Sequence, residues 1–179
     1  MEENTKTPDN RPVRKHNRLQ GFCYAEPGAY FITICAKEGT YPFGRIVDNQ
    51  MVLTPAGQTA FDQFAELQEY YKSIVIENFV IMPNHIHAII HIKEYIPERS
   101  IPVIVQAYKS MCTRKIKSAG GLVIWQRSYY DSVIRDGAGL ERIAEYIQNN
   151  PANWHKDAEN REAKLDVRKY YEALLKKAV

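Results

Sequence analysis

The run Val80-Ile81-Met82-Pro83-Asn84-His85-Ile86-His87-Ala88-Ile89-Ile90-His91-Ile92 constrains the fold more than any other part of this chain. Along a β-strand, successive side chains point to opposite faces. Ile86, Ala88, Ile90 and Ile92 therefore share one face, and His85, His87, Ile89 and His91 share the other. A strand of this kind belongs in a sheet with an aliphatic core on one side and polar chemistry on the other. Two imidazoles two residues apart on one strand face can hold a divalent cation between them. The same spacing also occurs on half-exposed strands that bind nothing, so the pair needs support from elsewhere in the chain. His91 shares the parity but lies two pleats beyond His87, and reads as a surface histidine or as a support for the ligands. Asn84 reads as shaping the turn before His85.

Support comes from Leu140-Glu141-Arg142-Ile143-Ala144-Glu145-Tyr146-Ile147-Gln148-Asn149-Asn150-Pro151. Leu140, Ile143, Ala144 and Ile147 recur at helical spacing and define a buried stripe. Tyr146 lies on the flank of that stripe, with Asn150 one turn further along the same side. A phenol beside a bound cation has the parts for nucleophilic attack on a phosphodiester, and its ordinary pKa of about 10 means that it must be activated. An Asn amide oxygen is a suitable hard ligand. Asn150 directly precedes Pro151, which disfavours helix at Asn150, so a role as N-cap of the next turn is the alternative. Metal binding through imidazole needs the neutral ring, which predicts a loss of activity below about pH 6.5.

With these motifs in view, the chain resembles the single-tyrosine HUH (IS200-like) transposases, and within them the REP-associated tyrosine transposases. The resemblance runs from about Arg18 to Trp154. It rests on Pro27-Gly28-Ala29-Tyr30-Phe31-Ile32-Thr33-Ile34, Met82-Pro83-Asn84-His85-Ile86-His87, Trp125-Gln126-Arg127-Ser128-Tyr129-Tyr130-Asp131 and Tyr146-Ile147-Gln148-Asn149-Asn150-Pro151, four separated motifs in order. It implies Mg²⁺ or Mn²⁺ held by His85, His87 and Asn150, with Tyr146 as the catalytic nucleophile. It also implies cutting of single-stranded DNA near a palindromic-repeat hairpin through a 5′-phosphotyrosine, rejoining without ATP, and a monomer or homodimer in bacterial cytoplasm, associated with the nucleoid. The residues by themselves leave open an inactive hairpin-binding module and a metal-dependent hydrolase in which water attacks.

Charge distribution says more than charge total, since 24 basic against 21 acidic residues is nearly balanced. From Arg99 to Tyr130 there is no acidic residue, and cations alternate with Tyr108, Trp125, Tyr129 and Tyr130. Cations beside aromatics suit a nucleic-acid strand. Lys109, Arg114, Lys115, Gln126 and Arg127 are the DNA-binding candidates here, joined by Arg14, Lys15 and Arg18 in a basic arm at the start of the chain. Cys23, Cys35 and Cys112 form no close pair, which argues for reduced thiols. No apolar run approaches the roughly 18 residues of a membrane span.

The pattern predicts strands over Tyr30 to Ala36, Ile74 to Met82, His85 to Ile92 and Tyr129 to Ile134, and a hairpin from Phe43 to Leu53. It predicts helices from Pro55 to about Lys72 with Thr54 as N-cap, from Ile101 to Lys117, from Leu140 to Asn149 and from Asp166 to Lys177. Ala60, Phe61, Phe64 and Leu67 are expected to point inward, as are Val167, Tyr170, Tyr171, Leu174 and Leu175. This is an α+β chain with an antiparallel sheet covered by helices. The resemblance sharpens it to a ferredoxin-like or RRM-like sheet of the HUH endonuclease fold, with the histidines on a central strand. The expected organisation is a basic flexible arm (1–20), the transposase-like domain (21–155) and a C-terminal helical extension (156–179).

Overall fold

A computed structural model describes residues 23–176, so the arm with Arg14, Lys15 and Arg18 lies outside the described residues. In chain order the elements are β1 (Gly28–Cys35), β2 (Gly44–Val47), β3 (Gln50–Leu53), α1 (Pro55–Tyr70), β4 (Ile74–Ile81), β5 (His85–Ile92), α2 (Ile101–Ser118), β6 (Tyr130–Ile134), α3 (Gly137–Asn149) and α4 (Val167–Lys176). Four of the strands form one antiparallel sheet in the order β4-β5-β1-β6, while β2 and β3 pair as a separate hairpin. With that hairpin set aside, β1-α1-β4-β5-α2-β6 is the βαββαβ arrangement of ferredoxin-like folds. The histidine strand β5 lies between β4 and β1, as expected.

Period-two alternation divides the core between the two faces of the sheet. Tyr30, Ile32 and Ile34 of β1 and Ile86, Ala88, Ile90 and Ile92 of β5 meet Phe64 and Leu67 of α1 and Ile104, Val105 and Tyr108 of α2. The Tyr108 ring stacks on Phe64 at 4.3 Å, and its hydroxyl donates to Ala60 O at 2.6 Å, which satisfies the phenol inside an apolar layer. On the opposite face Phe31, Ile89 and Ile134 pack under Ile143 and Ile147 of α3 and Tyr171 of α4. His85 and His87 point to this second face.

Helix ends follow local chemistry. Thr54 Oγ1 accepts from Gly57 N–H at 3.0 Å, with Pro55 at the first helical position. Helix α2 stops where Gly120 takes φ +78° and Gly121 N–H donates back to Ile116 O. Helix α3 begins three residues before its apolar stripe, because Asp136 Oδ1 accepts from Gly139 N–H at 2.6 Å and caps a turn with no hydrophobic signal of its own.

Three expectations need correction. Phe61 is 47% exposed, lying beside Phe79 at the margin of α1 instead of inside the core. Val167 is exposed as well, and the inward face of α4 is made by Tyr170, Tyr171, Leu174 and Leu175. Asn150 adopts helical angles (φ −59°, ψ −43°) despite the following proline and is the C-cap of α3, its N–H donating to Ile147 O; it does not cap a following turn.

Candidate active site

The site lies where the second face of the sheet meets α3 and the segment that follows it. His85 and His87 are both fully buried, and their Nε2 atoms approach to 2.9 Å. His85 stands opposite Cys35 in the β1 register and His87 opposite Thr33. Asn84 Nδ2 donates to Glu159 O at 2.8 Å, which turns Asn84 Oδ1 toward His85 Nδ1 at 2.9 Å. An amide oxygen only accepts, so the His85 proton sits on Nδ1 and its Nε2 presents a lone pair. His87 Nδ1 instead faces Thr33 Oγ1 at 2.9 Å, and a hydroxyl can either donate or accept. Two lone pairs 2.9 Å apart would repel, so in the metal-free protein His87 Nε2–H donates toward His85 Nε2 while Thr33 donates to Nδ1. If both Nε2 atoms were to ligate a cation, His87 would carry its proton on Nδ1 and Thr33 Oγ1 would accept from it. The threonine hydroxyl serves both tautomers.

Above the rings, Asp157 closes the cluster. Its Oδ1 lies 3.9 Å from His85 Nε2 and its Oδ2 3.8 Å from His87 Nε2. Asp157 Oδ2 accepts from Asn150 Nδ2 at 2.7 Å and from the Tyr146 hydroxyl at 3.0 Å, and Oδ1 accepts from Glu159 N–H at 2.7 Å. Tyr146 Oη is also 3.1 Å from His87 Nε2. The ligand atoms of His85, His87 and Asp157 lie within 4.8 Å of one another, and this group could hold a divalent metal. Asn150 Oδ1 is buried with no hydrogen-bond partner among the described residues. A buried orphan acceptor normally carries a cost of about 1–3 kcal/mol, which ligation would relieve. Two imidazoles with carboxylate and amide oxygens form a donor set that fits Mg²⁺, Mn²⁺ and their neighbours.

Electrostatics agree with that assignment. Burial pushes His85 down to about 4, against the pull of Asp157, so its ring stays neutral and ready to ligate well below the pH 6.5 expected of a free imidazole. For Asp157 burial alone would raise the carboxyl, but the facing His85 and His87 and the Asn150 amide outweigh it and hold the group well below the usual carboxylate range. Tyr146 moves the other way: burial, and then the Asp157 charge, hold the phenol protonated far above its ordinary value.

His85, His87, Tyr146 and Asn150 thus come together in the structure. The basic candidates do not join them. Arg114 and Lys115 are exposed on α2, which covers the opposite face of the sheet, and Lys115 is ion-paired with Glu66. Lys109 donates to Gln126 O at 2.9 Å and to Ser128 O at 3.3 Å, bracing the segment before β6. Gln126 and Arg127 are exposed on that segment. His91 is paired with Glu77 at the far end of β5, outside the cluster. Asp157, Thr33 and Glu159 were not among the sequence candidates. Asp157 sits in non-repetitive chain, one of 21 acidic residues, with no periodicity to mark it.

The ferredoxin-like sheet thus carries a buried His-His-Asp cluster that could hold a divalent metal, with a tyrosine hydroxyl hydrogen-bonded into it. The chain belongs to the IS200-like transposase family, whose model matches residues 49–150, a span that includes His85, His87, Tyr146 and Asn150 and stops short of Asp157. An uncharacterized protein of Haemophilus influenzae is 34% identical over 164 aligned positions, covering 80% of this chain and 91% of that protein. In fold the chain is similar to a REP-associated tyrosine transposase solved bound to a REP hairpin, with a TM-score of 0.59 and 18% identity over 79% of this chain and 74% of that one. Among the described residues, no helix is long and apolar enough to cross a membrane.

Proposed function

We propose that the protein is a metal-dependent endonuclease and strand transferase for single-stranded DNA, cutting beside hairpins with Tyr146 as the nucleophile. The observation that carries this reading is the Tyr146 hydroxyl, hydrogen-bonded at once to His87 Nε2 and Asp157 Oδ2 in a buried site. His85, His87 and Asp157, joined by Asn150 Oδ1, would hold the cation, Mg²⁺ or Mn²⁺. When bound it supplies charge neutralisation at the scissile phosphate. Tyr146 gives up its proton to solvent as its oxygen attacks phosphorus in line. The new bond is Oη–P; the bond that breaks is P–O3′. The departing oxygen takes a proton from solvent to become a free 3′-OH, so no net proton is gained or lost, and the 5′ phosphate stays on tyrosine. Because one phosphodiester is exchanged for another, a 3′-OH can reverse the step and rejoin strands without ATP. Hairpin substrates are supported by the fold's likeness to a transposase bound to a REP hairpin.

The test is a hairpin oligonucleotide with single-stranded flanks, incubated with Mn²⁺ and resolved under denaturing conditions for a protein-DNA adduct. Tyr146→Phe should abolish the adduct while DNA affinity stays near wild type. Cleavage that survives in Tyr146→Phe would establish water as the nucleophile. An adduct that survives would move the role to Tyr170, whose ring lies 6.1 Å from that of Tyr146.

A further inference from the structure

Beside the His-His-Asp cluster is a cavity of about 380 Å³, within the range of ligand pockets. Its inner wall is shared with the candidate active site. Cys35 is the register partner of His85, Asn84 orients that ring, and Ala158 follows Asp157. Leu165 and Val167, apolar side chains that are 44% and 37% exposed, also line the cavity. The rim carries Lys37 and Lys164, both exposed, whose ammonium groups have no ion pair or hydrogen bond among the described residues. Arg161, by contrast, is paired with Glu38 at 3.1 Å. Gln126 reaches the rim with its side-chain amide unengaged; only its backbone is used, with N–H donating to Cys35 O and the carbonyl accepting from Lys109.

We infer that this cavity is a nucleotide subsite of the DNA path, taking one unstacked base and its flanking phosphates next to the scissile position. The inference rests on the proposed function and adds to it where the strand lies. Each part of a nucleotide meets its chemistry. A splayed base needs an apolar slot and a polar edge, which Leu165, Val167 and the Gln126 amide provide. Its phosphates need unpaired cations, which Lys37 and Lys164 provide. The chain brings these groups together from the end of β1, the segment before β6 and the turn before α4. No single run of sequence displays the subsite, and it stands on the His-bearing side of the molecule, away from Arg114 and Lys115 on α2.

The experiment measures fluorescence anisotropy of labelled dT12 over a salt series, for the wild type and Lys37→Ala/Lys164→Ala. Each lost single-strand phosphate contact removes ~0.7 from the log-log salt slope, so the double variant should lose about 1.4, and roughly tenfold in affinity at 0.15 M salt. Lys72→Ala/Lys93→Ala, at exposed lysines remote from the cavity, should leave both unchanged. In parallel, a hairpin substrate with one photoreactive thymine moved stepwise through the flank is crosslinked and digested. Crosslinks to the 158–167 segment or Gln126 from one or two adjacent positions support the subsite; crosslinks from every position, or from none, overturn it. An unchanged salt slope in the double lysine variant, with the wild type still forming its Tyr146 adduct, overturns the subsite alone. Absence of any adduct in the wild type would instead overturn the proposed function.

Discussion

Replacing Thr33 with valine should separate metal binding from folding in this site. Both Thr33 and His87 are fully buried, and the 2.9 Å contact from Thr33 Oγ1 to His87 Nδ1 is that nitrogen's hydrogen bond in the structure. Valine keeps the β-branched shape that β1 requires and removes only the hydroxyl. In the metal-free protein, His87 Nδ1 would lose a donor; in the metal-bound protein, a buried N–H would lose its acceptor. The second loss is the larger, because a buried unsatisfied donor costs about 1–3 kcal/mol. It falls entirely on the tautomer that ligates, so Mn²⁺ affinity should drop about 10- to 100-fold, the usual effect of removing the partner that orients a ligating histidine. Isothermal titration with Mn²⁺ measures this directly, and urea unfolding in EDTA gives the metal-free stability. Thr33→Ser restores the hydroxyl and should restore affinity. Mn²⁺ affinity within twofold of wild type in Thr33→Val, with a folded protein, would refute the tautomer argument.

The other predictions concern stability. In EDTA, His85 is held down to about 4 in the folded chain but titrates near 6.5 when unfolded, so the unfolded chain takes up the proton first as pH falls. Stability should therefore drop by about 2 kcal/mol between pH 7.5 and pH 5, and His85→Gln should flatten that slope in urea titrations. Asp157, with its carboxyl depressed, keeps its contribution through this window and loses it only at more acidic pH, below its unfolded value. Gly57→Ala should destabilise despite alanine's better helix propensity of roughly 1 kcal/mol, because an added Cβ would lie 2.0 Å from Phe43 O, and thermal unfolding should show the loss.

What the sequence disclosed and what it withheld divide along physical lines. Alternation in His85 to Ile92 required a two-faced strand, and it forms one with the aliphatic side under α1 and α2 and the histidines on the other. Helical spacing placed Tyr146 on the margin of α3, where its hydroxyl reaches His87. Periodicity, however, reports which residues share a face and not which neighbour covers it. Phe61 and Val167 both lie on recognisable stripes, yet one ends beside Phe79 and the other beside an open cavity. Asp157 had no stripe at all. Its carboxylate is held by Asn150 and Tyr146 of the preceding helix, contacts that no periodicity encodes, while Glu159 N–H adds only a local turn bond. Those same bonds explain why Asn150 overrides the restriction imposed by Pro151. Its side chain is tied to Asp157 and its N–H to Ile147 O, so the helical angles are held from two sides.

Asp157 also gives the site its sense of direction. The Tyr146 hydroxyl donates to a carboxylate in a buried pocket, an arrangement that favours the protonated phenol. On the proposed reading, in which Tyr146 is the nucleophile, a phenol that stays protonated in the resting protein would not attack stray phosphodiesters. Activation then requires the negative charge of Asp157 to be offset, and the groups that would hold a cation for that purpose are the two imidazoles facing it at 3.8 and 3.9 Å. The proposed mechanism would thereby tie metal occupancy and tyrosine reactivity through one carboxylate. Asn150, bonded to that carboxylate through Nδ2, has its unpartnered Oδ1 left over to join the groups that would hold the cation.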